Sequence, residues 1–325
     1  MWFYLWRRVA YLLPILLGIH ILTFTLFFMV NTPDDIARMQ LGQKYITAET
    51  IMLWKQQHGY DLPLFYDAAG QGVARLTHTL FFKQTQHLFS LNFGVSDAGR
   101  NIADDIHHRM WPSLAIAVPS LFLGLIVQIG VAIMLVFFRS TALARMGMGL
   151  CMILMSISGL FYIVIGQYWF GKVLRLVPIS GYHPGWAAVK FVLLPIVVSV
   201  VAGLGANVRW YRALLLDQVD QDYVKTALSK GVSEWRVLRH HVLRNSLLPI
   251  VTNVVVVLPS LFLGSLVLES FFGIPGLGSY MIDAIQQQDF AIVRAMVFLG
   301  SFLYIIGLLL TDVVYVLVDP RIRFE

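Results

Sequence analysis

The run best spaced for phosphate chemistry is Gly166-Gln-Tyr-Trp-Phe-Gly171-Lys172-Val173, a G-x-x-x-x-G-K pattern. A phosphate cradle needs small residues whose amides approach the oxygens, and a Ser or Thr after the lysine to hold magnesium. It also opens a helix after a strand. Here Tyr168, Trp169 and Phe170 fill the loop, and Val173 stands where the hydroxyl belongs. Aromatics followed by lysine instead suit a membrane–water interface. Gly273-Ile-Pro-Gly276-Leu-Gly278 lacks the glycine order of a dinucleotide site and reads as a tight turn. His107-His108 and His240-His241 are adjacent pairs, without the i, i+4 spacing that turns two imidazoles toward one metal. Cys151 is the chain's lone cysteine, which rules out a disulfide framework and reads as a small buried hydrophobe. Asp312 is the one carboxylate set within a long apolar run. Such groups mark ion or proton paths, but near a span's end pairing with arginine or interfacial water is the simpler role.

The densest polar stretch runs Asp217-Gln-Val-Asp-Gln-Asp222-Tyr223-Val224-Lys225-Thr226-Ala227-Leu228-Ser-Lys230-Gly231, then Val-Ser-Glu-Trp-Arg236 and on to Arg244-Asn245-Ser-Leu-Leu-Pro249. Val224, Ala227 and Leu228 fall on one helical face. Acidic residues come first and Lys230 last, which suits the helix dipole. Gly231 supplies the left-handed stop, and Ser233 opens a second, basic helix. A short helix, a glycine break and a returning helix make a protruding knob.

What must hold this knob is a membrane bundle. Of the 325 residues, 58% are hydrophobic and 13% charged, and the mean hydropathy is +0.73. Soluble domains carry about 25% charged residues, so much of the surface must face lipid. Crossing a bilayer takes roughly 20 apolar residues. Six stretches qualify, bounded by Arg8 and Asp34, Arg109 and Arg139, Arg145 and Lys172, Lys190 and Arg209, Arg244 and Glu269, and Arg294 and Asp312. In lipid these must be helices, and neighbouring helices can satisfy carbonyls freed by Pro14, Pro119, Pro195 and Pro259. The apolar run after Arg7-Arg8 is too long for a signal h-region and lacks a small-residue cleavage site, so it reads as the first helix.

Short loops rich in Lys and Arg stay in the cytoplasm. With the N-terminus inside, Arg7, Arg8, Arg139, Arg145, Arg209, Arg212, Lys225, Lys230, Arg236, Arg239, Arg244, Arg321 and Arg323 are cytoplasmic, against Lys172, Arg175, Lys190 and Arg294 outside. The expected fold is an all-α membrane protein with six transmembrane helices and both termini cytoplasmic. Residues 1–30 hold the first helix, 31–111 a periplasmic segment, and 112–325 a five-helix core with a cytoplasmic loop at about 209–246. The net charge of +6 follows from the loop bias and requires no nucleic acid.

The loop Asp222–Pro249 closely resembles that of ABC-importer permeases, and within them the dipeptide/oligopeptide permease family. Asn92-Phe-Gly-Val-Ser96, Val177-Pro-Ile-Ser-Gly-Tyr182, Glu269-Ser-Phe-Phe-Gly-Ile-Pro-Gly-Leu-Gly278, Gln288-Asp289-Phe290 and Asp319-Pro-Arg-Ile-Arg323 extend the likeness over nearly the whole chain. The family's Glu-Ala-Ala opening falls on Lys225-Thr226-Ala227, without its acid. The wider family's Leu-Pro is replaced by Leu243-Arg244, with the proline at Pro249.

The resemblance implies a permease subunit in the bacterial inner membrane for peptides or related small solutes. Implied partners are a second homologous permease, two ABC ATPase subunits and a periplasmic or lipid-anchored substrate-binding protein. ATP and magnesium then belong to the ATPases, and this chain binds no cofactor or metal and catalyses nothing. The implied coupling residues are Asp222, Tyr223, Val224, Lys225, Thr226, Ala227, Leu228, Lys230, Gly231, Arg236, Arg244 and Asn245. The alternative, a self-sufficient secondary transporter or channel, ordinarily shows repeated halves or buried charges along its path; neither pattern is visible.

Overall fold

Apolar segments without access to water close their backbone hydrogen bonds internally. In the computed structural model, which describes residues 2–42, 47–68, 71–97 and 99–318, the regular elements are accordingly helices, with one isolated bridge between Val95 and Asn101. The Asp319–Arg323 ending lies outside the described residues. The helices are α1 (Trp2–Val30), α2 (Pro33–Leu41), α3 (Ala48–His58), α4 (Ala74–Thr77), α5 (Leu80–Phe89), α6 (Ile102–Phe137), α7 (Ala142–Ser156) and α8 (Gly159–Gly166). They continue as α9 (Ala188–Val219), α10 (Asp222–Ser229), α11 (Glu234–Val237), α12 (Leu243–Val257), α13 (Leu266–Phe272), α14 (Leu277–Gln286) and α15 (Phe290–Val318).

Five described helical segments are long and apolar enough to cross a bilayer: Ala10–Val30, Ile102–Phe137, Gly185–Val219, Glu234–Leu263 and Phe290–Val314. The expected third span is present in broken form, α7 and a second segment Gly159–Val173 bent by 91°, and with this pair as one span the candidates number six. Ile157 is extended at the break. The Leu154 carbonyl there accepts from Ile157 N at 3.4 Å and from the Tyr162 hydroxyl at 2.7 Å, so the bend leaves it satisfied. Two other boundaries differ from the charge-based expectation. The second span begins at Ile102, where the Asn101 side chain accepts from Ala103 N at 3.0 Å and Asp104 and Asp105 occupy the first turn. Helix α9 continues past Arg209 and Arg212 to Val219, so the opening part of the expected loop is helical stem.

The chain divides into two compact units. One takes the residues up to His108 together with Met281–Ile305. Its α2 and α3 each start on a reciprocal cap, Thr32 with Asp35 and Thr47 with Thr50. Phe24, Phe28, Ile36, Ala37, Ile51, Trp54, Tyr60 and Leu80 form its core. Trp54 stacks on His58 and Tyr60 at centroid distances of 4.2 and 5.5 Å.

The other unit takes Arg109–Tyr280 and the described residues from Ile306 onward. Helices α7 and α9 pack through Gly205, where an added Cβ would stand 2.5 Å from the Cys151 carbonyl oxygen. Small residues at such crossings let backbones approach in lipid. Leu143, Met146, Leu150 and Ile153 of α7, with Phe122 and Ile126 of α6, remain exposed, a surface suited to hydrocarbon.

Candidate coupling knob and polar cavity

The segment between α9 and α12 folds as a knob. Asp222 opens α10, and Gly231 closes it at φ +80°. Gly231 N donates to Leu228 O at 2.9 Å and Val232 N to Ala227 O at 3.3 Å. That pair of bonds is a Schellman stop, for which a residue without Cβ is strongly favoured. Ser233 is the extended residue before α11.

The knob has an inner and an outer side. Val224 and Ala227 are buried in one cluster with Leu215 of α9, Val136 of α6, and Val237, Leu238 and Val242. Leu228, expected on the same face, is exposed instead. Tyr223 is half-buried, with its hydroxyl donating to Gln218 Oε1 at 2.9 Å. Asp222, Lys225, Thr226, Lys230, Gly231, Arg236, Arg244 and Asn245 are exposed. Lys225 Nζ donates to Asp222 Oδ1 at 3.0 Å, and Thr226 Oγ1 to the Asp222 carbonyl at 2.9 Å. Of the sequence-chosen residues, two therefore anchor the knob and most of the rest form its outer face. Sequence reasoning missed the brace from α6, where Arg139 pairs with Glu234 and Phe137 meets Trp235 edge-to-face at 5.6 Å. Nothing local in the sequence joins residues 95 apart.

The same unit holds a half-open cavity of about 400 Å³ whose lining includes Ser113, Ser120, Gln128, Asn207, Asn253 and Glu269. Gln128 is 5% exposed; its Nε2 donates to Val200 O at 3.4 Å, and its Oε1 accepts from Asn207 Nδ2 at 3.1 Å. Gly124 and Gly203 leave room for this amide. Ser120 Oγ is buried without a hydrogen-bond partner. The lining is thus mainly amide, hydroxyl and apolar, with Glu269 its one carboxylate. The amides stood visible within apolar runs and are the signal from which this cavity could have been sought.

Glu269, also in the lining, is 1% exposed. Its carboxylate accepts from Ser265 N at 3.1 Å, Gly278 N at 2.8 Å and Ser279 N at 3.2 Å. Ser113 Oγ accepts from Leu277 N at 2.8 Å. The glycine-rich turn expected at Gly273–Gly278 thus exists to seat a carboxylate on the first turn of α14. An added Cβ at Gly276 would collide with Glu269, and one at Gly278 would lie 2.6 Å from the Ser265 backbone.

The other sequence candidates are dispersed. Gly166–Lys172 enters the π-helical turn Gln167–Val173, where the Gln167 side chain donates to Ile179 O and Phe271 O at 3.0 and 2.9 Å. Asp312 and Cys151 are buried at 7% and 5% exposure. Among the described residues no cluster of His, Cys, Asp and Glu has metal-binding geometry.

Residues 120–324 match the family model described as binding-protein-dependent transport system inner membrane component, and residues 1–117 match the model of its N-terminal membrane component. The chain is 29% identical over 323 residues to the glutathione transport system permease protein GsiC of Salmonella paratyphi A, covering 99% of both. It is 27% identical over 339 residues to the oligopeptide transport system permease protein AppB of Bacillus subtilis, and 28% identical over 329 residues to GsiC of Escherichia coli K12, again covering 99% of both. Systems of this kind imply ATPase and substrate-binding partners for their membrane components. With its helices, knob and full-length matches, this chain belongs to the family of inner membrane components of binding-protein-dependent transport systems.

Proposed function

We propose that this chain is one of two related permeases that together enclose the path of an ATP-driven importer for peptides or peptide-like solutes. The observation that carries the proposal is the two-sided knob: Val224 and Ala227 are packed into the bundle, while Asp222, Lys225, Leu228 and Lys230 face outward. The knob, both termini and the short basic loops lie in the cytoplasm, where the outer face of α10 docks on one of two ATPase subunits. ATP and magnesium bind there, and this chain catalyses no step. Closure of the ATPases displaces α10, and its buried face transmits the displacement to α9 and α12. Differential docking of the knob in the two states lets ATP bias an inward–outward equilibrium. Solute delivered by a binding protein passes the amide- and hydroxyl-lined cavity. The relatives' names support glutathione- or oligopeptide-sized cargo.

The test is purification of the tagged chain from its own cell in mild detergent, followed by mass spectrometry. Recovery of a second permease with ATPase subunits is expected. A chain that returns alone or only with itself contradicts the proposal.

A further inference from the structure

The first unit holds a second cavity, of about 390 Å³, within the range of small-ligand pockets, roughly 300–1,000 Å³. Its lining carries both charge signs: Asp97, only 8% exposed, and Arg294, with the amides of Gln57, Gln84 and Asn92 between aromatic groups. Each charge is held but not used up. Asp97 Oδ2 accepts from Phe290 N at 3.2 Å. Arg294 donates from Nη1 to Gln84 Oε1 at 2.6 Å and from Nη2 to the Tyr60 hydroxyl at 3.0 Å, two of the five N–H groups a guanidinium offers. Its carbon also lies 5.7 Å from the Phe28 ring centroid and 5.9 Å from that of Tyr60.

Asp289, buried beside Asp97, is already occupied as the cap of α15, accepting from Ile292 N at 3.2 Å. Asp97 therefore grips the first residue of α15, and Arg294 leaves the same helix one turn later, so one helix end brings both charges to the lining. Burial and the neighbouring Asp289 push the Asp97 carboxyl up to about 6, while Arg294 pulls it back; a ligand cation would favour its charged form.

We propose that this pocket binds a small zwitterion of dipeptide size, its ammonium on Asp97 and its carboxylate on Arg294. The pocket shares no lining residue with the amide-lined cavity and provides a holding site for solute on the permease itself. It rests on the peptide reading only for the choice of ligand.

The experiment is calorimetric titration of the full chain in lipid nanodiscs with alanyl-alanine, N-acetyl-alanyl-alanine and alanyl-alanine amide. Each block is expected to weaken binding at least about tenfold, as loss of a partner from a buried charge pair does. Asp97→Asn removes the penalty for acetylation, and Arg294→Gln the penalty for amidation. Because Arg294 also holds Gln84 and Tyr60, Ala291→Leu serves as a second variant that only narrows the cavity, and it should weaken the free dipeptide. Absence of binding at millimolar dipeptide, indifference to both blocks, or binding unchanged by Asp97→Asn and Ala291→Leu overturns the proposal. Recovery of ATPase subunits with the unmodified chain tests the permease reading alone.

Discussion

Arg139, past the end of α6, pairs with Glu234 at the start of α11, joining a membrane-crossing helix to the knob that follows α9. Both side chains are more than one-third exposed, so the pair adds no more than about 1 kcal/mol to stability. The edge-to-face contact of Phe137 and Trp235 lies beside it in sequence.

Reversing one charge, Arg139→Glu, should leave membrane insertion and melting nearly unchanged while lowering ATP-dependent uptake several-fold. The double reversal Arg139→Glu with Glu234→Arg should recover much of it. Equal loss in single and double variants would remove the pair from the coupling route.

Gly231 stands at φ +80° in open space, so its constraint is backbone conformation and not volume. A β-branched residue there costs about 1–2 kcal/mol, and proline also deletes the N–H that Leu228 O receives. Gly231→Val and Gly231→Pro should insert normally but uncouple uptake, with Gly231→Asn milder because asparagine tolerates the left-handed region. Normal uptake by the proline variant would sink this role.

Glu269 satisfies three backbone N–H groups in a buried setting. Glu269→Ala leaves them unpaired, at about 1–3 kcal/mol for each group. A clear drop in melting temperature in nanodiscs is expected, with Glu269→Gln closer to wild type because it keeps an acceptor. Melting unchanged in Glu269→Ala would show that the turn holds without its carboxylate.

Asp97 predicts a pH signature. Its folded value of about 6 lies above the roughly 3.9 of an unfolded aspartate, so the native state holds this proton more tightly. Below about pH 4 both states carry the proton and no charge is buried. As pH rises through about 6 that stability is lost, on the order of 3 kcal/mol in all. Asp97→Asn keeps an acceptor for Phe290 N, so it should melt above wild type at pH 7.5, with the gap closing toward pH 4. A gap independent of pH would place Asp97 in a solvated setting.

Much of this was legible because the signals are local. The glycine stop of α10, its acidic first turn and the apolar runs each depend on residues a few positions apart. What escaped depends on tertiary placement. The sequence pattern put Val224, Ala227 and Leu228 on one face, but packing against Leu215 and Val237 buries the first two and leaves Leu228 outside. The 91° bend after Ser156 sits in an uninterrupted apolar run, with only Ser156, Ser158 and Gly159 to mark it. Asp97 and Phe290 meet across 193 residues, and Ser113 and Leu277 across 164, distances over which no pattern in one sequence speaks.

The coupling role is tested most directly by a photo-crosslinking residue placed at Leu228, exposed on the outer side of α10, in cells making the whole transport system. Illumination should yield an adduct of this chain with an ABC ATPase subunit, and its yield should change when ATP hydrolysis is blocked. No ATPase adduct at Leu228, with one forming instead from a control position on the exposed apolar surface of α7 such as Met146, would contradict the docking of the knob.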